Sequence, residues 1–75
     1  MTILERVRRC AIEAYGEPIT ETTRLLELDG SMETIEFVLA LEEEFGLDIP
    51  DAEAETFFTQ LTTIVHVAEW IEERL

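Results

Sequence analysis

The apolar positions of the chain fall into four segments of helical spacing, separated by polar or turn-forming residues. Thr2, followed three residues later by Glu5, has the form of a capping box, and Ile3, Leu4, Val7, Ala11 and Ala14 recur behind it at helical intervals. Gly16 and Pro18 are placed to end this first helix. Residues 17–30 have no helical period, yet Ile19, Leu25, Leu26 and Leu28 can fold down onto a core, which predicts a long but anchored loop. The clearest helix runs from Ser31 to Phe45, with Asp29 or Ser31 as its cap and Gly46 placed for a left-handed end. Phe37, Val38, Leu41 and Phe45 share one face, which Ile35 is expected to extend. Glu33, Glu36, Glu43 and Glu44, with Ala40 among them, occupy an opposing arc roughly 100° wide. Met32 and Leu39 fall at the edge of that arc and are expected to be partly exposed.

Ile49 must be extended because Pro50 follows it, and Asp51 can then cap a short helix through about Phe57. The last helix is expected from Thr62 or Thr63, as cap, to Arg74, with Ile64, Val67, Ala68, Ile71 and Leu75 as its apolar stripe. The β-branched run Thr62-Thr63-Ile64-Val65 also reads as a strand, but no other strand is predicted to pair with it. The pattern therefore predicts an all-α four-helix bundle with a short third helix and a long first loop, and residues 1–75 are expected to form a single domain.

Composition narrows what such a bundle can do. A 75-residue domain buries only roughly 60% of the surface its unfolded chain exposes, so a deep enzymatic cleft is not expected. Eighteen acidic residues against five basic ones give a formal charge of -13. Nucleic acids and anionic lipid surfaces would repel such a surface, and basic proteins would suit it. The single cysteine, Cys10, has no internal disulfide partner. The early charges at Glu5 and Arg6 do not suit a signal peptide, and no apolar run approaches the roughly 20 residues of a membrane helix. A monomer in a reducing cytoplasm is the expectation.

The constellations of catalysis are missing. His66, the one histidine, has no evident relation to Ser31 or Cys10, and the glycines at 16, 30 and 46 are isolated helix boundaries that form no phosphate loop. Read as a calcium loop from Asp29, the chain puts Ile35 and Ala40 where ligands are needed, so the match fails. Ser31 remains. A serine opening a helix is by default only a cap, but the free N–H groups and positive dipole end at such a position also favour a phosphate.

The ordered run from Gly30 through Ser31-Met32-Glu33-Thr34-Ile35-Glu36-Phe37-Val38-Leu39-Ala40-Leu41-Glu42-Glu43-Glu44-Phe45-Gly46-Leu47-Asp48-Ile49-Pro50-Asp51 is similar to the acyl carrier proteins. Their modified serine lies in an Asp-Ser-Leu pattern followed by an acidic residue and a Val-Glu-Leu-type continuation. Leu61-Thr62-Thr63-Ile64-Val65 before a final helix also matches their layout. The resemblance implies that Ser31 takes 4'-phosphopantetheine from coenzyme A through a phosphopantetheinyl transferase. It implies a carrier, not an enzyme, whose tethered acyl group is delivered to separate fatty acid or polyketide-type enzymes at high effective concentration. It further implies that Asp29, Glu33, Glu36, Glu43 and Glu44 meet basic docking patches on those enzymes, with Met32 and Leu39 as apolar contacts beside them.

Phe37, Leu41, Phe45, Ile49, Phe57, Phe58 and Ile71 read first as core, and in this family the helices can part to shelter an acyl chain. Tyr15 and Trp70 are expected to pack at the rim. The chain departs from the family pattern at Gly30, where the aspartate before the serine is usual, and at Met32, which replaces leucine. Arg6, Arg8 and Arg9 place three of the five cations on the first helix, where they read as a solvated face balancing the acids. These departures point to a specialised pathway carrier. An aminoacyl or peptidyl carrier uses the same arm and fold, and an unmodified acidic helical interaction module is the alternative from a different class.

Overall fold

The computed structural model describes residues 1–28, 31–59 and 62–75, with the side chains of Ser31 and Thr59 left aside. Four α-helices run in the order α1 (Ile3–Tyr15), α2 (Ser31–Phe45), α3 (Asp51–Thr59) and α4 (Ile64–Glu72), and a 3-10 turn at Leu25–Glu27 lies in the connection before α2. The all-α four-helix expectation is met, with the two nine-residue helices last.

The helix boundaries have local causes. At the start of α1 the Glu5 N–H donates to the Thr2 hydroxyl at 3.1 Å while the Thr2 N–H donates to the Glu5 carboxylate at 3.3 Å, satisfying two end groups at once. Gly16 (φ 69°) and Gly46 (φ 65°) turn the chain out of α1 and α2 through the left-handed region, where a Cβ would be strained. Thr63 caps α4, and His66 completes the box by accepting the Thr63 N–H at Nδ1, 3.1 Å away. The lone histidine is thus part of a helix cap. Asp51, expected to cap α3, is instead its first residue. The Pro50 carbonyl accepts the Glu53 and Ala54 N–H groups, each at 3.0 Å, and the Asp51 charge favours the first turn through the helix dipole. The cap of α2, expected at Asp29 or Ser31, lies outside the described side chains.

One core joins all four helices. Val7, Cys10 and Ala11 of α1 meet Phe37 and Leu41 of α2 and Val67 and Ile71 of α4, with α1 packed against both α2 and α4. Ile19 and Leu25 anchor the long loop in this core as expected. Leu26 does not join them and is exposed, because the turn that buries Leu25 points its neighbour outward. The β-branched run before α4 does find a partner: Arg24 and Thr63 form one antiparallel bridge, and the Leu25 N–H donates to the Thr62 carbonyl at 2.9 Å. A single rung suffices to tie the loop to α4. α4 ends at Glu72, two residues before the expected Arg74, so Leu75 has left the apolar stripe and is exposed.

The three arginines of α1 are more than a solvated face. Arg8 Nε donates to the Ile19 carbonyl at 2.6 Å and so fastens the loop. Arg6 Nε reaches the Glu44 carboxylate at 2.8 Å, its Nη2 donates to the Glu44 carbonyl at 3.0 Å, and its guanidinium lies 4.4 Å from the Phe45 ring centroid. These contacts tie α1 to the C-terminal turn of α2.

Leu41 is fully buried in the core, where α2 packs on α1. Leu41→Ala is expected to cost about 2–5 kcal/mol by urea denaturation, a large share of the stability of a small domain, with retained helical circular dichroism below the transition.

Candidate functional site

The burial of Phe37 and Leu41 sets the rotation of α2, and that rotation decides what the helix presents to a partner. Ser31 is the first residue of α2. One turn further on, the Thr34 hydroxyl lies 3.1 Å from the Tyr15 hydroxyl, and the Tyr15 ring leans on Phe37 at 5.9 Å between centroids. The helix is therefore braced against α1 close to its N-terminus. Tyr15 is half-buried as expected at the rim, and burial pushes its hydroxyl pKa up, so it stays protonated.

Met32, Ile35 and Leu39 are 71%, 60% and 57% exposed. The exposure of Met32 and Leu39 was expected. That of Ile35 corrects the reading that it extends the buried face: two residues from Phe37 on a 3.6-residue helix place it roughly 160° from that ring. At spacings of three and four residues, these side chains make one apolar ridge along the outer side of α2. Glu36 and Glu43 are exposed along the same side, whereas Glu33, half-exposed, lies nearer Tyr15 of α1.

Glu44 is engaged differently from the other acids of the predicted arc. Its carboxylate pairs with Arg6 at 2.8 Å and Arg9 at 3.5 Å, and the hydrogen bond from Arg6 holds its pKa below the usual carboxylate range. The signal was present in the spacing: seven residues return Glu44 to within roughly 20° of Phe37, on the side that meets α1. Asp29 lies outside the described residues.

On the other flank of α2 a groove of about 480 Å³ separates it from α3. Ile35, Val38 and Leu39 of α2 face Ala54 and Phe58 of α3 across it, Ile49 lines the connecting segment, and Glu42, Asp48, Asp51 and Glu55 stand along its margins. Phe58 touches Phe37 edge-on at 6.4 Å between centroids, which links the groove to the core. Glu42 was not singled out by its sequence position, but its carboxylate accepts the Ile49 N–H at 2.8 Å.

Among the described residues, Cys10 is not prepared as a nucleophile. Cys10 is buried beside the Ala40 carbonyl, and burial, reinforced by the nearby Glu44 and Glu13 charges, pushes its thiol pKa up and away from the reactive thiolate. Among the described residues, no group of three or more histidine, cysteine, aspartate or glutamate side chains is placed to hold a metal ion. No helix among them is long and apolar enough to cross a membrane.

Residues 5–71 match the family described as the phosphopantetheine attachment site. The chain belongs to this carrier-domain family. Carrier domains of this kind bear 4'-phosphopantetheine covalently and are carriers, not catalysts, so they work with a phosphopantetheinyl transferase and with partner enzymes. This carrier domain fits the group in two respects. The 15-residue α2 offers a long helix whose N-terminal dipole end favours a phosphate, and an apolar groove begins at Thr34 and Ile35, within the next turn.

The Arg6–Glu44–Arg9 cluster generates a pH prediction with a defined sign. A carboxylate whose folded pKa is depressed contributes stability above its unfolded pKa, near the ordinary 4.5, and loses that contribution as pH falls through the folded value. Wild type should be more stable than Glu44→Gln at pH 7, and the difference should shrink below about pH 4.5. Comparing the two proteins by thermal denaturation across pH 3 to 7 cancels the relief of self-repulsion that acid brings to the other acidic groups. A difference that stayed constant over this range would show that the charge of Glu44 contributes nothing.

Proposed function

We propose that Ser31 is the attachment residue for 4'-phosphopantetheine, and that the chain is a discrete acyl carrier protein of fatty acid or polyketide-type assembly. The observation that carries this reading is the position of Ser31 as the first residue of α2, one turn before the first residues that line a groove of mostly aliphatic and aromatic side chains. Once attached, the arm supplies a thiol that holds the cargo as a thioester. The protein's own residues then have three tasks. The N-terminal turn of α2 receives the phosphodiester, where backbone N–H groups favour the negative charge. The ridge of Met32, Ile35 and Leu39 with Glu33, Glu36 and Glu43 docks on basic patches of partner enzymes. Glu44 holds α1 and α2 in register behind that surface.

The groove favours an acyl cargo over an aminoacyl or peptidyl one. Val38, Leu39, Ala54 and Phe58 give an alkyl chain apolar surface to cover, worth about 25 cal/mol for each Å² removed from water. They give an amide backbone little to hydrogen-bond. Ile35 and Leu39 belong both to the outer ridge and to the groove, so a docked partner would touch the same side chains that border the cargo. A cytoplasmic location is consistent with the single, buried Cys10, which has no partner in the chain for an internal disulfide.

Incubation with coenzyme A and a broad-specificity transferase should add one phosphopantetheine to the wild-type chain by intact mass, and nothing to Ser31→Ala. Failure of the wild type to load, or loading of the alanine variant, would defeat this assignment. Retained binding of a basic partner by an unloadable chain would instead identify an acidic interaction module. Glu36→Lys should lower kcat/KM for an acyl-loading partner several-fold at low salt and flatten its salt dependence, because an exposed interface charge acts mainly on encounter.

A further inference from the structure

The wall of the groove facing α2 is held by one acidic side chain. The Glu42 carboxylate accepts the Ile49 N–H at 2.8 Å, a partly buried, charge-assisted bond, while the Glu42 backbone carbonyl accepts the Leu47 N–H at 3.2 Å. Two acceptors of a single residue thus hold the segment that leads into α3. Ile49 itself is 4% exposed and lines the groove, and Pro50 immediately after it accepts the first hydrogen bonds of α3. The start of α3 is therefore two peptide units away from the Glu42 carboxylate. Elsewhere α3 rests on the 3-10 turn, on Trp70 through the buried Phe57 ring at 5.3 Å between centroids and the Glu53 carboxylate, which accepts the indole N–H at 3.3 Å, and on Phe37 through Phe58. Its attachment to α2 is thin, which makes the Glu42–Ile49 bond decisive for the width of the groove.

We propose that Glu42 is a positioning residue that latches the 47–50 segment against α2 and thereby sets how well the groove retains a tethered acyl chain. The inference rests on reading the groove as the shelter for that chain. It separates Glu42 from the neighbouring acids of α2: its carboxylate works inside the molecule, as a hydrogen-bond acceptor, and not on a partner's cations. What matters is the acceptor oxygen, so glutamine at this position should retain most of the function and alanine should not.

The test has two arms on the full chain. In the protein without cargo, amide hydrogen exchange at Ile49 should be about tenfold or more faster in Glu42→Ala than in wild type, and within about threefold of wild type in Glu42→Gln. Val67, whose N–H is held by the Thr63 carbonyl in α4, should be unchanged in both and reports global stability. Equal acceleration at Ile49 and Val67, or a glutamine variant as fast as the alanine one, overturns the latch. In the second arm, chains carrying an octanoyl thioester on the arm are exposed to hydroxylamine. Glu42→Ala should lose the thioester several-fold faster than wild type, and Glu42→Gln should resemble wild type. A loosened Ile49 with unchanged thioester loss shows that the latch does not govern retention and overturns the proposal. Failure of Ser31 to load at all defeats the carrier reading, and the Ile49 arm still decides whether the latch exists.

Discussion

The placement of Phe37 and Leu41 in the core is the constraint on which the functional surface depends. Both are fully buried, and they lie one turn apart on the same side of α2. A helix so anchored has no freedom to rotate, and every other residue of α2 takes its position from them. Thr34 is brought to Tyr15, Glu44 to Arg6, Glu42 to Ile49, and Met32, Ile35 and Leu39 to the outside. One packing decision therefore assigns the acids of a single helix to different tasks. The same Phe37 ring touches Phe58 of α3, so the groove wall is referred to the same anchor.

Charge is distributed with a similar economy. A chain with a formal charge of -13 works against its own compactness, and three of its five cations, all on α1, hold elements together. Arg6 and Arg9 meet Glu44, Arg8 meets the Ile19 carbonyl, and Arg74 covers the Trp70 ring at 3.7 Å while donating to the Trp70 carbonyl. Such partly exposed pairs stabilise only modestly, and their effect is more to fix geometry than to raise stability. What remains outward on α2 is negative and apolar, the combination suited to brief, steered encounters with several basic partners. A carrier must release each enzyme after delivery, and an interface of rim charges around a small apolar ridge suits fast exchange better than a large dry one.

The groove between α2 and α3 follows from an imbalance in packing. α1 presses closely on both α2 and α4, whereas α3 rests on the 3-10 turn and meets α2 mainly through the Phe37–Phe58 contact and the Glu42–Ile49 bond. In a small domain with one core, the least-packed element is where low-cost opening is expected. The nine-residue α3 is too short to hold itself by helix propensity alone and depends on its anchors, which gives a single hydrogen bond unusual leverage over the shape of the cavity.

Much of this was legible in the chain itself. Helical periodicity, the Thr2–Glu5 box and the glycines at 16 and 46 located α1 and α2, because these signals act between residues a few positions apart. The family resemblance around Ser31 agrees with the match over residues 5–71. Local signals also had limits: they put Ile35 inside and left Glu44 among the free acids. The spacing to Phe37 contained both answers, but only a structure showed that Phe37 marks the centre of the buried face and which helix stands on either side. The tasks of His66, Arg8 and Glu42 were decided by tertiary contacts, since a polar side chain takes its role from whichever donor or acceptor the fold brings within about 3 Å. Sequence determined which helices form and singled out Ser31 as the candidate for a phosphate. Packing alone decided which acids face outward, which hold the fold, and where a cavity is left open, because those outcomes depend on long-range contacts that no local pattern encodes.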